Sequence, residues 1–466
     1  MRRNADDIGG KTAIVFNGRQ LSWQALWSGV QAASSQLSPL LGGERQQVVA
    51  ILAPNSPEFL ITYLAIVHAG HIAMPLDITF KKLEIEPIIE TVNPALVLAL
   101  KDYGHLVDRD ILLIEDLLAA KPQAPLPGPQ LPPGKKVATL FLSSGTTGRP
   151  KAIPNTHANI LWDVTAIAKP MNWTAEDTIL ITLHLSHRHG LVICFLSALY
   201  HGNTIYLEER FNPGKTLSLL ESGQVSVYSA VPSIYEMLVG YEPNAKFDLS
   251  QVRLFASSSS ALPPYLHSAF EKRFGRQILD RYGTSETGSI AIRQPSEPGS
   301  FGDILEGVEI RLEKSGEVAL KSPGLFPGYY RNSDETSRNR TTDGWWLTGD
   351  IGEFHDGELT LKGRAKERIT KSGYSIYPQE IEWALRQYPA IREVRIVGVH
   401  SADSVDDKIV AFYVGSGNSQ SLIEFSKANL PRSWRPDRFV PLDELPKGRT
   451  GKVLIGKLKA MAERYG

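Results

Sequence analysis

A chain of 466 residues holds two or three domains at roughly 100–200 residues each, and 42% hydrophobic against 21% charged residues exclude a disordered or collagen-like chain. Fifty Lys plus Arg balance fifty Asp plus Glu, so no overall field draws the molecule to nucleic acid or to an anionic membrane. The single cysteine, Cys194, excludes an intrachain disulfide and fits a reducing compartment.

The opening MRRNADDIGG has charges but no apolar run behind them, so it does not read as a secretory signal. The longest apolar stretch, around Leu191 to Tyr200, falls short of the roughly 20 residues of a spanning helix. The expectation is a soluble, cytoplasmic protein with no transmembrane segment. From Lys11 to Leu100, short β-branched runs (TAIVF, VVAILA) alternate with helix-length amphipathic ones, the pattern of βαβ units around a parallel sheet. Ser56 and Pro57 predict a helix start, with Ser56 as N-cap, and Gly70 its close. The Pro- and Gly-rich segment 121–136 is read as a surface connection inside one large domain, because a strand and a glycine loop follow it at once. No repeat of 20–50 residues is visible.

The apolar run ATLFL enters Ser143-Ser144-Gly145-Thr146-Thr147-Gly148-Arg149-Pro150-Lys151. Glycines let backbone N–H groups approach a phosphate, hydroxyls add neutral donors, and Lys151 supplies positive charge. The loop suits a polyphosphate, although a polar surface loop is the bland alternative, and no G-x-x-x-x-G-K-[ST] can be drawn through it. Downstream, His184, His187 and His189 lie at i, i+3 and i+5, which a helix cannot aim at one ion, so no metal site is expected there. After the short strand QILD, Arg281-Tyr282-Gly283-Thr284-Ser285-Glu286-Thr287 offers an aromatic plane for a purine, a hydroxyl for a phosphate and a carboxylate for Mg2+; a capped strand-to-helix turn is the competing reading. Trp345 to Asp350 ends in a carboxylate able to accept both hydroxyls of a ribose, or is a plain turn. Near Arg364 the composition shifts again, and a small α+β domain of about a hundred residues follows, with a helix beginning after Pro378.

These motifs, in this order and over nearly the whole chain, resemble the adenylate-forming superfamily of acyl-CoA synthetases, peptide-synthetase adenylation domains and beetle luciferases. The resemblance implies an α/β fold: a large N-terminal domain of layered α/β sheets, residues 1–363, binding AMP and the acyl group, and a small mobile α+β C-terminal cap, residues 364–466. It implies that Ser143 to Gly148 and Lys151 hold ATP phosphates, with Thr146 among the catalytic residues, that Tyr282 and Gly283 meet adenine, that Ser285 serves the α-phosphate, and that Glu286 binds magnesium. Asp350 and Arg364 then take the ribose, and the cap turns about Lys366 as hinge. His187 would lie beside the substrate carboxylate; a packing histidine is the alternative. Lys452 matches the lysine that enters the site for adenylation, while an exposed, solvated lysine is the default. Ser372 and Gly373 would line a pantetheine channel. Departures are Ala152 after the loop lysine, Ser285 where threonine is commoner, and Ser258 and Ser259 where a glycine-rich stretch usually lines the acyl pocket. These serines predict a narrower or more polar acyl pocket than that of long-chain enzymes.

The implied function is ATP- and Mg2+-dependent activation of a small-molecule carboxylic acid through an acyl-adenylate, followed by thioester formation with CoA. Loading of the phosphopantetheine of a separate acyl carrier protein is the alternative, and a catalytically silent nucleotide-binding scaffold is the reading from another class. The scaffold would be expected to lack Lys452, Glu286 or Asp350, and all three are present. The synthetase-like region runs to Gly466 with no carrier segment after it, which favours a free-standing enzyme. The resemblance also disfavours amino-acid activation, because the family's amino-acid enzymes commonly place an aspartate near the His187 position for the α-ammonium group, and Arg188, His189 and Gly190 supply no such carboxylate. The zero net charge is a cancellation: residues 364–466 hold 18 Lys plus Arg against 12 Asp plus Glu, leaving 32 against 38 in the body. A positive cap suits ATP and CoA phosphates; a solvated basic face is the plainer reading.

Overall fold

A computed structural model describes residues 1–42, 45–120, 134, 136–143, 151–242, 244–293, 302–371, 374–400, 406–448 and 453–465. Packing divides the chain into two units. The first comprises Met1–Ser296, Phe301–Val308 and Lys321–Arg338; the second comprises Glu297–Ser300, Glu309–Leu320 and Asn339–Gly466.

In the first unit a six-stranded sheet runs in the order Leu112–Leu113, Leu96–Ala99, Val48–Leu52, Ile72–Pro75, Val137–Ser143, Lys151–Thr156. Every pairing is parallel except the last, a hairpin in which Ser143 faces Lys151. Val48–Leu52 is buried along its whole length, as a central parallel strand covered on both faces must be. An eight-stranded sheet runs Gly288–Arg293, Ile278–Thr284, Leu254–Ser257, Val227–Ala230, Thr178–Ile181, Thr204–Leu207, Thr12–Phe16, Arg19–Ser22, parallel in the middle and antiparallel at both edges. The expected βαβ pattern is thus present, spread over two sheets. Helix Pro57–His68 starts as its sequence predicts: Ser56 accepts from the N–H of Phe59 at 3.1 Å, Pro57 opens the helix, and Gly70 follows at φ +85°. Asn55, buried just before it, donates to the carbonyls of Leu183 and Glu208 at 2.9 and 3.0 Å and accepts from the N–H of Leu185 at 2.9 Å. One amide therefore ties the carboxyl ends of strands from both sheets, where ligand-binding loops of α/β folds emerge.

In the second unit, Glu317–Lys321, Trp346–His355 and Glu358–Arg364 pair antiparallel, with Glu309–Leu312 at the edge. Further along, Ile391–Val399 pairs antiparallel with Lys408–Gly415, and Arg438–Pro441 runs parallel beside it. Ile381 and Leu385 of helix Pro378–Leu385 pack on one face of this sheet; Leu458 and Ala462 of helix Ile455–Ala462 pack on the other. This is the small α+β body expected near the C-terminus. The division by packing lies before residue 364, because the antiparallel pairing of Trp346–His355 with Glu358–Arg364 keeps Arg364 in register with Asp350. Segment 121–133 lies outside the described residues. Among the described residues no helix is long and apolar enough to cross a membrane.

Candidate active site

The loops at the carboxyl ends of the strands carry most of the candidate residues of the first unit. Strand Ile278–Thr284 continues through Tyr282 and Gly283 and returns as Gly288–Arg293, so the motif is a strand–turn–strand and not a turn into a helix. Gly283 is required by closeness: a Cβ there would stand 2.3 Å from the carbonyl oxygen of Gly288. The turn closes on itself, the N–H of Thr284 donating to Thr287 Oγ1 at 3.1 Å and that of Thr287 to Thr284 Oγ1 at 3.3 Å. Ser285 and Glu286 are therefore presented, half-buried, at its tip. Asn155 donates to the carbonyl of Ser285 at 3.2 Å, and the N–H of Phe326 to that of Glu286 at 2.7 Å. Tyr329 Oη donates to Glu286 Oε1 at 3.1 Å. Lys151 Nζ is paired with Glu335 and lies 4.9 Å above the centre of the Tyr329 ring. The cation that leaves the glycine loop and the carboxylate expected to bind magnesium thus share one tyrosine. Glu286 suits that ion: a hard oxygen donor, partly exposed, with one oxygen engaged by the tyrosine hydroxyl among the described residues. Among the described residues no group of three His, Cys, Asp or Glu could hold a metal ion.

The three histidines diverge. His187 Nε2 lies 3.3 Å from Asp77 Oδ2, on the loop after strand Ile72–Pro75, and the His184 ring meets that of His187 edge-on at 6.4 Å. Burial alone would raise the Asp77 carboxyl, but hydrogen bonds from His187 and Thr79 hold it well below the usual carboxylate range. His189 turns inward, Nε2 2.8 Å from Ser229 Oγ and Nδ1 3.2 Å from Ser259 Oγ. Its burial, with the charges of Arg281 and Arg188 nearby, pushes it well below the ordinary histidine value, so the ring is neutral. Ser258 is buried; Ser259 is exposed at φ +76°, a conformation that favours the glycine expected there. Strand ends Val227–Ala230 and Leu254–Ser257 thus carry a wall of hydroxyls with a neutral imidazole among them.

Beneath this wall, Arg188, Arg281 and Asp163 are all buried. Asp163 Oδ2 lies 2.5 Å from Arg188 Nη2, and Oδ1 accepts from the N–H of Ser289 at 3.0 Å. Arg188 Nε also donates to Asn155 Oδ1 at 2.9 Å, and Arg281 Nη1 to Ser289 Oγ at 2.8 Å. Burial would raise the Asp163 carboxyl, but the two guanidinium groups hold it down; burial also lowers Arg281 to about 10. Cys194, buried alongside, is pushed up to about 12 and stays an inert thiol.

In the second unit, Asp350 Oδ1 pairs with Arg364 Nε at 2.8 Å across the Trp346–His355 and Glu358–Arg364 strands. Lys366 sits in the short turn Ala365–Glu367. The next residue, Glu367, is anchored to Arg395 at 3.0 Å, and Arg395 is held by buried Glu382 at 2.8 Å. Ser144, Gly145, Thr146, Thr147, Gly148, Ser372, Gly373 and Lys452 lie outside the described residues, as does the side chain of Ser143. Sequence reasoning missed Asp77, Asn155, Asp163, Ser229, Tyr329 and Glu335, and it weighed Arg188 and His189 without giving either a place in the site. The one available signal was that polar residues at the ends of apolar strands, as in PLD (75–77) and PNT (154–156), cannot serve the core and must face something.

The chain belongs to the AMP-binding enzyme family: the family model described as "AMP-binding enzyme" matches residues 1–330, and "AMP-binding enzyme C-terminal domain" matches residues 380–452. It is 28% identical to the human mitochondrial malonate–CoA ligase over 96% of this chain and 89% of that protein. It is 27% identical to the long-chain-fatty-acid–CoA ligase of Bacillus subtilis over 96% of this chain and 91% of that protein. The crystal structure of ATP-bound MatB from Rhodopseudomonas palustris superposes with a TM-score of 0.91 at 24% identity, covering 99% of this chain and 98% of that one, a likeness of fold.

Proposed function

We propose that this AMP-binding enzyme activates a carboxylic acid with ATP, through an acyl-adenylate, and passes the acyl group to the thiol of CoA. The observation that carries the reading is the closed turn Thr284–Thr287, which presents Ser285 and Glu286 directly beyond Tyr282 and Gly283 and reaches Lys151 through Tyr329. A carboxylate is already nucleophilic at neutral pH, so attack on the α-phosphate needs placement and charge neutralisation, not a general base. Tyr282 with Gly283 would seat adenine, and Asp350 with Arg364 the ribose. Ser285, Thr146 and the loop from Ser143 to Gly148 would take the phosphates. Magnesium bound to Glu286 and the phosphates would supply further charge neutralisation. His187, oriented by Asp77, would face the acid. Lys452 would serve adenylation alone. Glu367 is fixed to the cap by Arg395, so a cap turning about Lys366 would carry that anchor with it and bring Ser372 and Gly373 to the pantetheine arm. Division of the chain into a body, 1–363, and a moving cap, 364–466, is part of this proposal.

The relatives are named for acids as different as malonate and long-chain fatty acids at nearly equal identity, so the acyl class is argued from this chain's own residues. Ser229 and Ser259, each hydrogen-bonded to neutral His189, and Ser258 next in the chain would make a hydroxyl-rich wall whose remaining hydrogen-bonding capacity a long alkyl chain would desolvate without replacing. A short or polar acid fits it better.

Pyrophosphate release across short, medium, long and aromatic acids, each with and without CoA, tests the reading. Release that is strongest with short polar acids, with thioester formed when CoA is present, is the expected result. Release without thioester in CoA, but with acylation of a carrier protein, would favour the carrier alternative, and no release with any acid would favour the silent scaffold. Ser258→Gly should widen the accepted chain lengths; an unchanged preference would refute the role given to that wall. Lys452→Ala should abolish adenylation while sparing thioester formation from supplied acyl-adenylate.

A further inference from the structure

Apart from Tyr329, the clip formed by residues 326–336 has no role in the proposed reaction, yet it holds both Lys151 and Glu286. Strand Lys151–Thr156 places Lys151 opposite Ser143, so the backbone of this lysine is fixed as it leaves the glycine loop. Its side chain is not left to solvent: it is 16% exposed, paired with a Glu335 carboxylate that is 21% exposed, and lies over the Tyr329 ring. Tyr329 in turn packs edge-on against Phe326 at 5.0 Å and donates its hydroxyl to Glu286.

The clip is knit by short-range bonds. The N–H of Tyr329 donates to Thr336 Oγ1 at 2.9 Å, Thr336 Oγ1 donates to the carbonyl of Asn332 at 2.9 Å, and the N–H of Glu335 donates to Asn332 Oδ1 at 3.1 Å. Gly328 at φ +139° lets the chain close against Thr336, whose Cγ2 would stand 2.7 Å from a Cβ at residue 328.

Resting on the nucleotide reading above, we infer that Glu335 is a positioning residue for the triphosphate: it holds Lys151 over Tyr329, at a fixed place relative to Glu286. A free lysine side chain carries rotamer entropy, much of which is lost when it meets a phosphate. Glu335 imposes that loss before nucleotide arrives. Its own negative charge does not cancel the attraction, because Arg338 Nη1 lies 3.6 Å from the other carboxylate oxygen and leaves the Lys151–Glu335–Arg338 group net positive. Lys151 shares Tyr329 with Glu286, the carboxylate assigned above to magnesium on the phosphates, so by this inference Lys151 takes the β- and γ-phosphates and not AMP.

Calorimetric titration of the full chain with ATP, inorganic pyrophosphate and AMP, in buffer containing Mg2+, tests this. Absence of ATP binding by the wild type would defeat the nucleotide reading itself, apart from the role of Glu335. If ATP binds, Glu335→Ala should weaken ATP and pyrophosphate about tenfold and leave AMP within about twofold. Glu335→Gln, which keeps the acceptor oxygen, should lose no more than about threefold. In a Lys151→Ala background, Glu335→Ala should have no further effect on ATP, since the lysine it positions is gone. Unchanged or tighter ATP binding in Glu335→Ala, equal weakening of AMP, or full weakening in the Lys151→Ala background would each overturn the inference. Should Glu335→Ala fail to fold by its thermal melt, Glu335→Asp, whose carboxylate is drawn back by one methylene, replaces it with the same expected pattern.

Discussion

Replacing Asp163 by asparagine removes the carboxylate that faces two buried guanidinium groups. Asp163 is 0% exposed, Arg188 7% and Arg281 5%, so solvent cannot compensate the loss. Asparagine keeps one oxygen for the N–H of Ser289, which confines the change largely to charge. Removing one partner of such a pair costs about 3–5 kcal/mol, mostly the penalty of the charge left behind. An unfolding entropy of about 2.1 cal/mol/K per residue over roughly 300 residues converts this to a fall in Tm of about 5–8 °C. Thermal melts followed by tryptophan fluorescence, in about 0.1 M and 1 M salt, are the assay; a buried pair is screened little, so the fall should persist at high salt. The sign in pH is fixed. Asp163 is held below the ordinary carboxyl value in the fold, so its stabilisation is present above about 3.9 and lost as pH falls toward the folded value. The gap between wild type and Asp163→Asn should therefore be constant from pH 6 to 8 and close in acid. Adding Arg188→Met, which removes one stranded charge, should restore at least half of the loss. A melt within 1 °C of wild type, or additive effects of the two substitutions, would refute the reasoning.

Three further outcomes are expected. Burial raises the Asp280 carboxyl to about 7, so the folded state takes up a proton that the unfolded state has released, and stability falls as pH rises from about 4 to 7. The full difference is roughly 4 kcal/mol. Asp280→Asn should therefore gain stability in urea at pH 8 and about a third as much at pH 5, and an equal shift at both would count against it. Gly283→Ala places a methyl group against the backbone of Gly288 and Ser289, so ATP binding should fall more than about tenfold while the far-UV spectrum is kept; wild-type affinity would show that the hairpin yields. Asp77→Asn weakens the hold on His187 and should lower kcat/KM for the acid about tenfold with KM for ATP unchanged; a change confined to ATP would place His187 elsewhere.

Much was legible in the chain itself. Period-two and period-3.6 patterns gave the βαβ units, the Ser56–Pro57 helix start and the C-terminal α+β body, because these depend on neighbours a few residues apart. The ordered motifs through Lys151, Glu286, Asp350 and Lys452 pointed to the family that the family models match, because each motif is a short run of residue types whose spacing is read without knowing the fold. Tertiary structure alone decided what stands beside those residues. Asp77 meets His187 across 110 positions, Glu335 meets Lys151 across 184, and Asp163 meets Arg188 only because a helix and a strand-end loop pack together. Nothing local marks such pairs, since a buried charge is indistinguishable in sequence from a solvated one until its partner is in place. The serines after strand Leu254–Ser257 show the same division: the chain displayed Ser258 and Ser259 where glycine was expected, and only the fold brought His189, with Ser229, to Ser259.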